Sequence, residues 1–351
     1  MRTTTLMLLA VVSAGCVKRY ESAPPLEFRD YPYVGEAGNA WPLKSVELKG
    51  AQQRYGLGHA PKLSYVELNE GGAQTVVFLH GLGSYLKFWR SQLDATAAKG
   101  YRVIAIDQLG FGKSEKPATF PYTTESFAEN VVELLELLGV QKAILVGHSM
   151  GGQTSLATAI RFPERVAGLV LVSPAGFETF SGREQKWFKN VYARVLIKDA
   201  DEESIWGSVR NYNFMHWRPE LEWLIEERVR VAKTNEFDAY AYAQVRVVEG
   251  LAKNNFVRES LAKVKAPTVI VYGTADKLIP NAFLHGGFTR DVMKAGHEQI
   301  AGSELVELAG CGHTLQLDCP AQFNEALFAF LAKQPKPEAP PAAPVEAKPS
   351  E

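Results

Sequence analysis

Cysteine is scarce in this chain: 351 residues hold three, Cys16, Cys311 and Cys319. The spacing of the last two fits no zinc-binding pattern, so no metal site is expected from them. A surplus of one charge is also lacking. Lys plus Arg number 38 against 39 Asp plus Glu, which leaves no positive field to hold a phosphate backbone, and nucleic acid is not expected as a partner. No internal repeat is visible. The apolar stretch nearest the start, Leu6 to Val12, is too short to cross a bilayer as a helix. What is present is core-forming material: 46% of residues are apolar and 11% aromatic, enough for one sizeable domain with an insertion or for two small ones.

The opening MRTTTLMLLAVVSAGC combines Arg2, that apolar stretch, and small residues before Cys16, and residues 1–16 therefore read as an export signal. Its ending, Ser13-Ala14-Gly15-Cys16, resembles the lipobox of bacterial lipoproteins, in which cleavage leaves the cysteine as a lipid-modified N-terminus. The other reading is an ordinary secretory signal with an incidental cysteine. The resemblance implies lipid attachment at Cys16, a membrane reached through that anchor, and a place in the bacterial cell envelope. In lipoproteins of the enteric type a residue other than Asp after the cysteine favours the outer membrane, and Val17 fits that rule. Residues 17–44, rich in Pro, Gly and charge, are expected to be a spacer between anchor and folded body. Residues 334–351 are Pro, Ala and Glu without apolar periodicity, and they are expected to be disordered.

Between these ends, strand-like and helix-like stretches alternate. Ser64–Leu68 alternates like a half-buried strand. Thr75–Leu79, Tyr101–Ile106, Ala143–Val146, Gly168–Val172, Thr268–Tyr272 and Leu305–Leu308 are short apolar runs bounded by Gly, Pro or Asp, as suits strands buried on both faces. Amphipathic stretches such as Glu125–Leu138, stopped by Gly139, separate several of them. That order predicts an α/β fold with a mostly parallel, doubly wound sheet. One interruption breaks it: residues 178–264 carry no strand-like run, only helical patterns with Trp187, Trp206, Trp217 and Trp223. They are expected to form a helical cap between two parts of the core, residues 45–177 and 265–333. Its aromatics either line an apolar pocket or pack the helices together, and packing is the commoner role for any one of them.

The chemistry centres on Gly147-His-Ser149-Met-Gly151. At the end of a strand and the start of a helix, this pattern makes Ser149 a candidate nucleophile on a strained turn, where glycines are needed because backbones crowd on both sides. His148, inside the turn, reads as structural. A serine hydroxyl needs a base and an acid to orient it. The chain order of such folds, Ser then acid then His, selects Asp276 after the strand ending at Tyr272 and His313 after the strand ending at Leu308. For Asp276 the plain reading is a helix cap or turn former, for His313 a solvated loop residue, and His216 in the cap is the other histidine worth testing. Two N–H donors must hold an oxyanion. Met150, first in its helix, offers one, and the loop His80-Gly-Leu82-Gly83 offers the other at Leu82.

Taken in order, His80-Gly-Leu-Gly83, the Asp107–Pro117 stretch DQLGFGKSEKP, Gly147–Gly151, Gly273-Thr-Ala-Asp276 and Gly312-His313 resemble the motifs of the α/β-hydrolase superfamily over roughly residues 60 to 333. The nearest resemblance is to its capped members: esterases, carbon–carbon bond hydrolases, epoxide hydrolases and dehalogenases. The last two use an aspartate nucleophile where this chain has Ser149, so acyl transfer to water is favoured. In that group Asp107 is structural. The resemblance implies a serine esterase or lipase-like hydrolase of small to medium apolar esters, needing no metal or organic cofactor. Lactone hydrolysis, carbon–carbon cleavage of vinylogous diketones and perhydrolysis are open to the same residues, and a non-catalytic envelope binding protein is the remaining alternative. Cys311 and Cys319 bracket His313. In an oxidising compartment they could close a loop around it, or stand as two separate thiols, and the sequence leaves this open.

Overall fold

The computed structural model describes residues 19–335. The expected signal, Cys16 and the chain beyond Pro335 lie outside the described residues. Eight strands form one sheet: β1 (Leu43–Glu47), β2 (Lys62–Leu68), β3 (Thr75–Leu79), β4 (Arg102–Ile106), β5 (Ala143–His148), β6 (Val166–Val172), β7 (Thr268–Gly273) and β8 (Glu304–Leu308). Their order is β1-β2-β4-β3-β5-β6-β7-β8. β1, β2 and β4 pair antiparallel, and every later pairing is parallel. The continuous apolar runs sit where their composition demands: β3 and β5 are buried at every position, because helices cover both faces of a parallel sheet. Helix Thr124–Leu137 starts with a capping box made by Thr123 and Ser126, and Gly139 follows its end with φ 65°, the left-handed stop that glycine supplies.

Between β6 and β7 the chain is helical throughout, with Gly182–Val191, Glu202–Asn213, Trp223–Val231 and Phe237–Lys253 as its longer helices. The last of these packs into the main core through Phe237, Tyr240, Ala243 and Val247, helix Trp223–Val231 joins it through Val231, and the remaining buried cap residues form smaller apolar clusters. A buried ion pair ties cap to core: Lys87 Nζ lies 2.6 Å from Glu227, with both side chains at most 5% exposed. Tyr85 also donates to Glu227, and Lys87 stands 4.3 Å above the Trp223 ring. Taking both charges out of water is costly, so the pair by itself adds little net stability, whereas removing either partner would leave a buried charge unpaired.

Of the expected spacer, residues 17–44, the part from Arg19 onward is packed rather than loose. It is a strap bound across cap and core. Tyr20 is buried in a cap cluster with Ile205, Ile225 and Val229, and Lys233 holds the carbonyls of Tyr20, Glu21 and Ala23. Phe28, Tyr31, Tyr33 and Trp41 are buried in the main core, where Tyr33 donates to Asp107 and Trp41 donates to Asp94. The prolines and glycines that suggested a linker serve instead to lead an extended chain from one aromatic anchor to the next. At the other end, Gln334 still packs back on helix Pro320–Lys333, donating to the Phe330 carbonyl.

Candidate active site

Ser149 follows β5 and precedes helix Met150–Arg161 with φ 51° and ψ −114°, a conformation that costs on the order of 1–3 kcal/mol for a residue with a side chain. The turn can be this sharp because its glycines leave room: a Cβ on Gly147 would stand 2.3 Å from the Gly151 carbonyl oxygen, and one on Gly151 would stand 2.1 Å from that of Leu79. The Ser149 N–H donates to Val172 O at 2.9 Å and its carbonyl accepts from Ala175 at 3.0 Å. Both main-chain groups are thereby tied to the neighbouring strand and loop, and the hydroxyl is presented to a cavity.

Asp276 stands after β7 with its side chain fully buried. Its Oδ1 accepts from the N–H groups of Leu278 and Ile279 at 2.8 and 3.1 Å, which leaves Oδ2 for His313 Nδ1 at 2.8 Å. With Nδ1 committed as donor, His313 Nε2 has no hydrogen-bond partner among the described residues, and both Ser149 and His313 line the same cavity. Leu82 and Met150 carry the two candidate oxyanion donors. Neither N–H finds an acceptor among the described residues, as a site waiting for an anionic oxygen requires. The loop bearing Leu82 is fixed by His80, which donates through Nδ1 to Gly81 O at 2.8 Å and accepts at Nε2 from Gln108 at 3.0 Å. Burial pushes this imidazole down to about 4, which keeps it in the neutral form that both bonds need. His148 is buried beside it all, its Nε2 against His313 O at 3.1 Å and its ring 4.9 Å from that of His313. Burial, then the neighbouring His313, hold it well below the ordinary histidine range.

Asp107 lies away from these groups and is structural: its carboxylate accepts from the N–H of Leu86 and Lys113 and from Tyr33. Burial raises it to about 6. His216 is exposed on the cap and does not line the cavity. Cys311 and Cys319 are joined by a disulfide with Cα atoms 6.0 Å apart, closing a loop that contains His313.

Two residues of the site were not singled out in the sequence. Asp318, within the bridged loop, is buried and accepts from Gly312 N–H at 2.7 Å, from His216 N–H at 2.7 Å and from Met215 N–H at 3.1 Å. One carboxylate thus holds the residue before His313 and a cap segment together. Its position five residues after the histidine and beside a cysteine was the available signal. Arg228, from cap helix Trp223–Val231, lines the cavity. Its Nη2 donates to Ile197 O at 2.8 Å and its guanidinium lies 4.4 Å over Phe237, whereas Nη1 is buried without a partner. On an amphipathic helix, nothing in the sequence distinguishes such an arginine from a surface one.

The cavity has a volume of about 750 Å³ and mainly apolar walls, including Phe28 and Tyr31 of the strap. No tryptophan lines it. The cap tryptophans pack instead, Trp206 on Trp217 and Trp223 on Phe88, while Phe180, Phe188 and Tyr192 face the cavity.

A family model described as the alpha/beta hydrolase fold matches residues 74–320. An uncharacterized hydrolase of Bacillus subtilis is 28% identical over 273 residues, covering 76% of this chain and 93% of its own. A 2-hydroxy-6-oxononadienedioate/2-hydroxy-6-oxononatrienedioate hydrolase of Klebsiella pneumoniae is 30% identical over 271 residues, covering 75% and 88%. Among solved structures, a probable hydrolytic enzyme from Pseudomonas aeruginosa superposes with a TM-score of 0.76 at 26% identity, covering 88% of this chain and 99% of that one.

Proposed function

Because the chain belongs to the α/β-hydrolase family, we propose that it is a serine hydrolase cleaving carboxylic esters of small to medium, largely apolar substrates. The observation that carries this is the strained Ser149 opening on the same apolar cavity as an imidazole whose far nitrogen is held by Asp276. His313 takes the Ser149 proton as the hydroxyl attacks the ester carbonyl, and the N–H groups of Leu82 and Met150 receive the oxyanion. The proton then passes to the leaving alcohol. Water enters, loses a proton to the same imidazole, and releases the acid and the free serine. The route requires no metal or organic cofactor. The test is a series of p-nitrophenyl esters of rising chain length on wild type and Ser149→Ala. The variant should lose at least about 10³-fold in kcat; an unchanged rate would remove Ser149 from the mechanism, and binding without turnover in wild type would favour a non-catalytic envelope protein.

A second reading has its own support. Arg228 brings a buried, half-satisfied cation to the cavity wall, which suits a substrate with a carboxylate, and the Klebsiella relative is named for a dioic acid. Lactone, vinylogous diketone or peracid chemistry would use the same nucleophile, and turnover of such compounds without ester cleavage would select it. The lipid anchor at Cys16, and with it a place at the outer membrane, is part of the proposal; mass spectrometry of the mature chain tests it by the presence of acyl groups on Cys16.

A further inference from the structure

Exposed large apolar side chains are unevenly distributed in the described residues. Five of them, Val191, Leu196, Tyr212, Leu278 and Phe283, line the catalytic cavity while remaining between 37% and 74% exposed. A residue that both lines a cavity and faces solvent stands at its mouth, so these five form an apolar rim around the entrance. Val195 at 56% and Phe288 at 72% flank it in sequence without lining the cavity. Single exposed apolar residues are ordinary; five of them lining one cavity suit a surface that an apolar partner covers.

The start of the described chain says what covers it. Arg19 is held on the cap: its N–H donates to Glu202 at 3.1 Å and its guanidinium to Glu222 at 2.9 Å. Cys16 is three residues earlier, a span of at most about 10 Å. Glu202 begins the helix Glu202–Asn213, which contributes Ser204, Ser208 and Tyr212 to the cavity wall, and ten residues of helix place Tyr212 about 15 Å from Glu202. An acyl chain on Cys16 therefore holds the cap side of the molecule at the bilayer, within reach of the rim.

We infer that the rim docks into the interfacial layer of a lipid bilayer and that the enzyme takes its esters from the membrane phase through this mouth. The inference rests on the reading of Cys16 as a lipidated terminus and of Ser149 as an ester-cleaving nucleophile. An apolar band beside a lipid anchor supplies the second membrane signal that a single attachment needs for stable seating. Substrates are then lipid-soluble esters that reach Ser149 without crossing water.

The experiment uses the full-length protein reconstituted in phosphatidylcholine vesicles whose acyl chains carry bromine, a short-range quencher of tryptophan emission. Trp187, whose ring lies 5.8 Å from that of Phe283, reports on the rim, and Trp187→Phe identifies its signal. The comparison is with the double variant Val195→Asp/Phe288→Asp. Phe288 is the N-cap of helix Thr289–His297, where aspartate is well accommodated. Wild type should show quenching of Trp187, lost in the double variant, and hydrolysis of a medium-chain apolar ester dissolved in the vesicles should fall at least about tenfold in the variant. Its rate on a water-soluble ester and its thermal melt should match wild type. Equal quenching in both proteins, or none in either, overturns the inference, as does a vesicle-independent dimer that buries the rim. If no ester is cleaved by any form, the proposed reaction fails while the quenching comparison still decides docking.

Discussion

Replacing Asp318 with alanine tests how the site is held together. The carboxylate accepts three main-chain N–H groups, at 2.7 Å from Gly312, 2.7 Å from His216 and 3.1 Å from Met215. Hydrogen bonds to a charged group contribute about 1.5–3 kcal/mol each. Gly312 is buried and its N–H would be left without an acceptor, whereas Met215 and His216 are exposed and water can replace part of their loss. The expected destabilisation is therefore about 3–4 kcal/mol rather than the sum of three full bonds. With an unfolding entropy of about 2.1 cal/mol/K per residue over roughly 300 ordered residues, that lowers Tm by about 5 °C. The catalytic effect should be separable. Gly312 precedes His313, so a relaxed loop displaces the imidazole, and a misplacement of about 1 Å costs on the order of 10²-fold in kcat with a smaller change in KM. Asp318→Asn, which keeps one acceptor but turns an amide toward an N–H, should fall between alanine and wild type in both measurements. The assay is ester hydrolysis with a scanning-calorimetry melt on the same samples. An Asp318→Ala protein that melts within 1 °C of wild type, by about the resolution of that method, and keeps its kcat would refute the reasoning.

Three further outcomes are expected. Cys311→Ser/Cys319→Ser should lose roughly 2–3 kcal/mol through the freed loop, read as a lowered denaturation midpoint, with a fall in kcat because His313 lies inside that loop. For His80 the unfolded ring takes up its proton near 6.5 but the folded one only near 4. Its presence therefore lowers stability as pH falls through that window, by about 3 kcal/mol in all. The stability gap between wild type and His80→Asn in urea titrations should narrow by about that amount from pH 7 to pH 4. Asp107, raised from 3.8 to about 6, acts in the opposite sense, stabilising at low pH and losing that contribution as pH rises to about 6, so the wild-type profile alone would hide the effect. Arg228→Met should reduce kcat/KM by about tenfold or more for esters bearing a distal carboxylate and change neutral esters little; equal losses on both would assign Arg228 to packing.

Much of the architecture was legible because parallel strands are written as unbroken apolar runs. β3, β5, β6 and β7 announce themselves in this way, and the Gly-rich turn at Ser149 follows from the crowding that its own neighbours impose. β1 was hidden, since its alternating edge sequence Leu43–Glu47 has exposed residues at every other position. Ser149, Asp276 and His313 can be picked out by order along the chain, whereas Asp318 carries only the weak signal of its place beside Cys319 and Arg228 carries none. Their roles depend on which backbone donors and which cavity wall the fold brings to them. The strap is hard to read in the sequence for a related reason: its aromatics follow no sustained twofold or 3.6-residue period, and average composition conceals the five anchors Tyr20, Phe28, Tyr31, Tyr33 and Trp41.

The strap also constrains the order of assembly. Tyr20 and its partner Glu222 are 202 residues apart in sequence, so the first part of the body to leave the ribosome is among the last that can find its place. Contacts of such separation cost loop-closure entropy that only an already formed cap can offset. Until helices Trp223–Val231 and Phe237–Lys253 exist, Tyr20 lacks Ile225 and Val229 and Phe28 lacks Tyr240, and the substrate chamber stands open on one side. Full enclosure of the reaction space is thus a late event in folding, reached only after a complete chain is present.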